Sequence, residues 1–179
     1  MMRRSLLTVA FLTCTAVSAQ MPMDGKEAAA HKPAAVPSTQ LVITGLTGKT
    51  RTLNAAELKT MPHVSVSVHN AHNNKDESYS GVPVKDLLAT VESAKGDGPK
   101  VSANMLVIVA AATDGFHVAL TLCDTSPECR SGQAIVADAQ DGASLTADGA
   151  FKLILTEDKT PARWARNLQS LTVQAVPAN

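Results

Sequence analysis

The chain of 179 residues balances 16 basic against 16 acidic side chains, is 45% apolar and carries only 3% aromatic residues. That length fits one domain with little room for a second, and zero net charge argues against a nucleic-acid binder held on phosphates. Scarce aromatic rings leave no stacking platform for single strands, and no long apolar span beyond the N-terminus supports a multi-pass membrane protein. Three cysteines make an odd count, which in an exported protein would leave one thiol unpaired.

Arg3 and Arg4 precede an apolar run over residues 6–17, and Val17-Ser18-Ala19 places small residues at a cleavage position. This pattern reads as a secretory signal peptide over residues 1–19, with a run too short to span a bilayer comfortably. Leu12-Thr13-Cys14 is a poor lipoprotein site, because Thr13 is larger than the residue usual before a lipidated cysteine. Cleavage removes two arginines, no acid and Cys14, so the mature protein is slightly acidic and its cysteines are the pair Cys123 and Cys129. The protein is therefore expected in the periplasm or secreted.

Residues 20–40, rich in Ala, Pro, Lys and Met, read as a flexible leader. Met21, Met23, Asp24 and His31 offer soft copper ligands at loose spacing, and a solvated tail is the plainer reading. The folded domain is expected over residues 41–179. Leu41-Val-Ile-Thr44 predicts a strand, the glycines at 45 and 48 a turn, and residues 49–53 a second strand. Asn54-Ala-Ala-Glu57 fits a capping box opening a short helix before Pro62. Val64-Ser-Val66-Ser-Val68 alternates, predicting a strand with one buried and one hydroxyl-bearing face. A polar loop follows, and then Gly81-Val82-Pro83 leads into a helix with Pro83 in its first turn. Val84, Leu87, Leu88 and Val91 form the apolar stripe of that helix.

Residues 96–99 break the chain. Runs over 105–112 and 116–122 flank Thr113-Asp114-Gly115 and predict a hairpin. Strands over 134–137, 151–156 and 170–176 complete the series, with Asp141-Gly142 and Asp148-Gly149 marking turns. Many strands and few, early helices indicate an α+β, mainly β domain. Phosphate-loop and dinucleotide-binding motifs are both missing from the sequence.

Seven short motifs occur in a recognisable order: Leu41-Val-Ile-Thr-Gly45, the cap and helix over 53–58, Gly81-Val-Pro-Val-Lys-Asp-Leu-Leu88, Asp114-Gly115-Phe116, Ala137-Asp138 with Asp141-Gly142 and Leu145, Phe151-Lys-Leu-Ile-Leu155, and Arg163-Trp164-Ala165 before a last strand. Over residues 40–176 this series resembles the molybdopterin-binding domain of the sulfite-oxidase family of oxidoreductases. The resemblance implies an α+β fold with curved mixed sheets and a few short helices, and a molybdenum–pterin cofactor. In the family's catalytic members a cysteine thiolate ligates molybdenum from the loop after the alternating strand. Here residues 68–79 contain no cysteine, and His or Asn is not an equivalent soft ligand. The expectation is a domain without that redox centre, with pterin binding left open.

The candidate site residues follow from that position. His69, Asn70 and His72 stand where the ligand cysteine would be, and two imidazoles three residues apart are an incomplete zinc or copper set. Lys159, Arg163 and Arg166 flank Trp164 in the segment that lies near the pterin in the family, so they are candidates to receive a small anionic ligand. A solvated loop over a packed Trp164 is the bland alternative. His117 is expected on a strand face. Cys123-Asp-Thr-Ser-Pro-Glu-Cys129 most simply closes a structural disulfide, since its spacing is not the C-x-x-C of oxidoreductases. The sequence thus points to an exported stand-alone module that binds a ligand or an envelope partner without catalysis. The alternatives are a molybdenum-cofactor oxidoreductase lacking the usual cysteine, and a metal binder using the His69/His72 loop.

Overall fold

The computed structural model of the chain describes residues 36–92 and 102–177. The signal peptide, the leader up to residue 35 with its Met and His candidates, and the break at 96–99 lie outside the described residues.

Among these residues are ten strands and two short α-helices, a mainly β domain built as two five-stranded sheets. The first sheet has the order β2-β1-β10-β5-β6. It comprises β1 (Gln40–Thr44), β2 (Thr50–Asn54), β5 (Leu106–Ala112), β6 (His117–Thr121) and β10 (Leu168–Ala175). β1 runs parallel to β10 and the other pairs are antiparallel, so this sheet is mixed. The second sheet is antiparallel, with β3 (Val64–Asn70), β4 (Lys75–Pro83), β7 (Ala134–Gln140) and β8 (Ala143–Ser144) in that order. β9 (Lys152–Leu155) also pairs with β7. The inward faces of both sheets share one core: Leu41, Ile43, Ile108 and Leu171 from the first meet Tyr79, Ile135, Val136 and Leu153 from the second.

Local chemistry sets the elements. Asn54 ends β2 and caps α1 (Ala55–Lys59): its side chain accepts from the Glu57 amide at 3.0 Å, while Glu57 accepts from the Asn54 amide at 2.8 Å. Pro83 closes β4 with an extended backbone (φ −56°, ψ 136°), so α2 (Val84–Ala89) begins one residue beyond the expected place. The stripe of Val84, Leu87, Leu88 and Val91 is buried as its spacing demands. Gly115, at φ 80°, turns the β5–β6 hairpin.

One stretch differs from the sequence expectation. The polar run after the alternating strand is a hairpin rather than a loop, since β4 starts at Lys75 and pairs in register with β3, Val68 opposite Glu77 and His69 opposite Asp76. A 4-residue reversal, in which Asn74 takes φ 54°, leaves no long loop. The backbone ladder is satisfied by any side chain, and polar residues tolerate strand geometry where one face meets solvent.

Candidate functional site

Period-two alternation along β4 puts Glu77, Tyr79 and Gly81 on one inward face. At Gly81 the chain needs a hydrogen for a side chain: a Cβ there would lie 2.2 Å from the Val136 carbonyl oxygen on β7. The resulting close approach, at a register shift between Ser80 and Gly81, seats β4 on β7 and brings Tyr79 toward β9.

From this arrangement comes a continuous chain of polar contacts. The Tyr79 hydroxyl donates to Glu77 Oε2 at 2.7 Å, and Lys152 Nζ donates to the Tyr79 oxygen at 2.8 Å and to Asp148 Oδ2 at 2.8 Å. Glu77 also accepts from Asn73 Nδ2 at 2.7 Å and from Asn70 Nδ2 at 3.1 Å. The Lys152 ammonium sits 4.8 Å from the Tyr79 ring centre and 5.8 Å from that of Trp164, and the two rings meet edge-on at 5.9 Å. Arg166 Nε lies 3.7 Å from Asp148 Oδ1, held there because Asn167, at φ 53°, donates its amide to the Asp148 carbonyl.

Charge placement follows from these partners. Burial pushes the Glu77 carboxyl up, but bonds from Tyr79, Asn73 and Asn70 and the charge of Lys152 outweigh it and hold the group below the usual carboxylate value. Burial, and then the hydrogen bond and charge of Glu77, push the Tyr79 phenol far above its usual value of 10. At neutral pH Glu77 is therefore a carboxylate and Tyr79 a neutral phenol.

Glu77, Asp148 and Lys152 line a cavity of about 420 Å³ together with Asn70, His72 and Asn73 of the hairpin, Gln140 at the end of β7, and Pro161, Trp164 and Arg166. Of the residues singled out from sequence, Asn70, His72 and Arg166 reach this cavity. His69 instead faces Asp76 across the hairpin, Nδ1 to Oδ1 at 2.8 Å, and both are exposed. Lys159 is exposed and lines no part of the cavity. Arg163 points the other way: its Nε donates to Asp158 Oδ2 at 2.9 Å and its Nη1 to Asp124 Oδ1 at 3.4 Å. Asp124 is shared with Arg130 and also accepts from the Thr121 amide. Trp164 is buried and donates its indole N–H to the Leu155 carbonyl at 3.0 Å. His117 is an exposed strand residue bonded to the Gly115 carbonyl. Among the described residues no three His, Cys, Asp or Glu side chains converge as a metal set.

Cys123 and Cys129 form a disulfide with Cα atoms 5.3 Å apart, and neither lines the cavity. Among the described residues no cysteine lines the cavity. The cations are also committed: Lys152 is answered by Asp148, and Arg163 by Asp158 and Asp124. With Glu77 and Asp148 set against Lys152 and Arg166, the cavity wall offers no surplus positive charge for the phosphate of a pterin cofactor. The side chains present do not fit a molybdenum–pterin group.

Fold and site together define a mainly β, two-sheet domain whose cavity is polar and internally neutralised. Among solved structures, the chain is similar to the sulfane dehydrogenase SoxCD from Paracoccus pantotrophus, with a TM-score of 0.60 and 15% sequence identity over 79% of this chain. It spans 40% of that chain's length. No protein-family model and no curated protein sequence matches. Among the described residues no helix is long and apolar enough to cross a membrane.

Proposed function

We propose that the protein is an exported, non-catalytic binding module of the cell envelope that uses the sulfite-oxidase-like cavity for a compact polar ligand without net charge. The observation that carries this reading is the Glu77–Tyr79–Lys152–Asp148 chain, in which each charge at the cavity wall already has its partner. An anionic ligand would compete with Asp148 for Lys152, and a cationic one would compete with Lys152 for Asp148. A neutral or zwitterionic molecule with donors and acceptors at both ends meets Gln140 and the exposed guanidinium of Arg166 and leaves the Glu77–Tyr79–Lys152–Asp148 chain intact. The rival reading, a molybdenum-cofactor oxidoreductase, rests on the sequence resemblance, to which the likeness to SoxCD, a sulfane dehydrogenase, adds the fold.

Protein purified from the periplasm and examined by native mass spectrometry, with metal analysis, separates the two. The expected result is a small organic adduct, absent from an Arg166→Ala, Gln140→Ala variant, and no stoichiometric molybdenum. Stoichiometric molybdenum with pterin overturns the proposal.

A further inference from the structure

The central cavity does not end at its own walls. Gln140 and Asp148 also line an adjoining hollow of about 250 Å³, which Asp141, Ser144 and Thr146 extend beyond the end of β7. Pro161, Trp164 and Arg166 also line a second hollow of about 200 Å³, completed by Asp114, Phe116 and Ala162. The two hollows share no lining residue with each other, so the cavity is what joins them, and the three form one trough. Groups with bonding capacity left are spread along it. Among the described residues His72 bonds through its backbone amide only, and the Gln140 side chain takes part in no hydrogen bond. Asp141 accepts from the Ser78 amide at 2.9 Å and has no cation within ion-pair distance among those residues. Arg166, its side chain 72% exposed, stands 3.7 Å from Asp148. Phe116 is half-buried in the second hollow, and its amide donates to Asp114 Oδ1 at 3.0 Å.

We infer that the trough takes a short peptide with free ends and an apolar C-terminal residue, an inference that rests on the binding role proposed for the cavity and gives its ligand a class. The peptide carboxylate meets Arg166, and the last side chain lies against Phe116, Pro161 and Ala162. The amides before it cross the cavity past His72 and past Gln140, which offers a donor and an acceptor on one side chain. The terminal ammonium points toward Asp141. Such a chain is neutral as a whole and carries its two charges apart. The trough does the same, with an acid lacking a cation in one hollow and an exposed guanidinium at the other. Asp141 and Arg166 share no compartment, which favours a chain over a single amino acid, whose ammonium and carboxylate flank one carbon. The Glu77–Tyr79–Lys152–Asp148 contacts stay as they are, because the peptide brings a partner only to groups that have bonding capacity to spare.

Isothermal titration calorimetry of the full chain tests the inference with five probes: the tripeptides Ala-Ala-Phe and Ala-Ala-Gly, Ala-Ala-Phe amidated at its C-terminus, Ala-Ala-Phe acetylated at its N-terminus, and free phenylalanine. Ala-Ala-Phe is expected to bind, and Ala-Ala-Gly to bind about tenfold more weakly, because the benzyl group leaves water in the second hollow. Blocking either end should weaken binding about threefold, the worth of an exposed charge pair. Phe116→Ala should abolish the preference for Ala-Ala-Phe over Ala-Ala-Gly. Should that variant fold poorly, the probe series on the wild-type chain decides alone. Equal binding of the two tripeptides, no effect of blocking the ends, or tighter binding of free phenylalanine than of Ala-Ala-Phe overturns the inference. A non-peptide adduct in native mass spectrometry, with Ala-Ala-Phe failing to bind, overturns it and leaves the binding role of the cavity standing. Stoichiometric molybdenum with pterin overturns both.

Discussion

Replacing Lys152 with methionine keeps the aliphatic stem and removes the ammonium that joins Tyr79 to Asp148. The residue is 6% exposed and gives two bonds of 2.8 Å, one to a carboxylate. Breaking a buried ion pair by deleting one partner costs about 3–5 kcal/mol, because the other charge is left without an answer. Asp148 is 16% exposed and keeps Arg166 at 3.7 Å, which places the expected loss at the lower end, about 3 kcal/mol. For a domain of this size that lowers Tm by roughly 9 °C. Urea unfolding followed by the fluorescence of Trp164, the single tryptophan, reads the change. The slope of the transition should stay constant while its midpoint falls. In an Asp148→Asn background the same substitution should cost about 1 kcal/mol, since the orphaned carboxylate is then absent. A loss below about 1 kcal/mol in the wild-type background, with unchanged slope, would refute the view that this pair organises the cavity wall.

Tyr79 is the single tyrosine, and its phenol titrates well above 10 when folded. The contribution of this group to stability is fully present below pH 10 and lost as pH rises through its folded value. Ultraviolet absorbance should therefore show tyrosinate appearing only with unfolding, and Tyr79→Phe should remove that alkaline step. Glu77 has the opposite sign: its folded value lies below the usual carboxyl value of 4.5, so its contribution is present above that pH and lost as pH falls through the folded value. Glu77→Gln should flatten stability against pH on the acid side, read by thermal melts at a series of pH values. Cys123→Ser with Cys129→Ser opens a short loop and should cost about 2 kcal/mol, and the melt of the variant should no longer respond to reductant. Gly81→Ala drives a Cβ into the backbone of Val136, and a loss of at least about 3 kcal/mol in a denaturant titration is expected, since neither strand can yield without breaking the ladder.

The local elements were legible because their signals are local. The capping box at Asn54 and Glu57, the Asp114-Gly115 hairpin and the stripe of α2 each depend on residues within a turn or two of one another. The site was less so. Glu77 and Tyr79 sit in a run beginning Lys75-Asp76, whose polarity hides the alternation that buries them. Their partner lies 73 positions away from Tyr79, and no spacing rule links β4 to Lys152. The basic segment around Trp164 drew attention to Arg163, yet Asp158, five residues before it, and Asp124 across the fold had already claimed that guanidinium. The buried signal that was available is an acid and an aromatic two apart, immediately upstream of Gly81 on the same strand face.

An enzyme domain that holds an anionic cofactor keeps cations in reserve for it, and those cations are strained or solvated until the cofactor arrives. Here the reserve is spent inside the protein. Asp148 neutralises Lys152, Asp158 and Asp124 neutralise Arg163, and three donors satisfy Glu77. The β3–β4 hairpin closes on itself through Asn70, Asn73 and the His69–Asp76 pair. A cavity wall completed in this way is stable without a bound group, and whatever enters must be polar enough to replace water and neutral enough to leave these pairs intact.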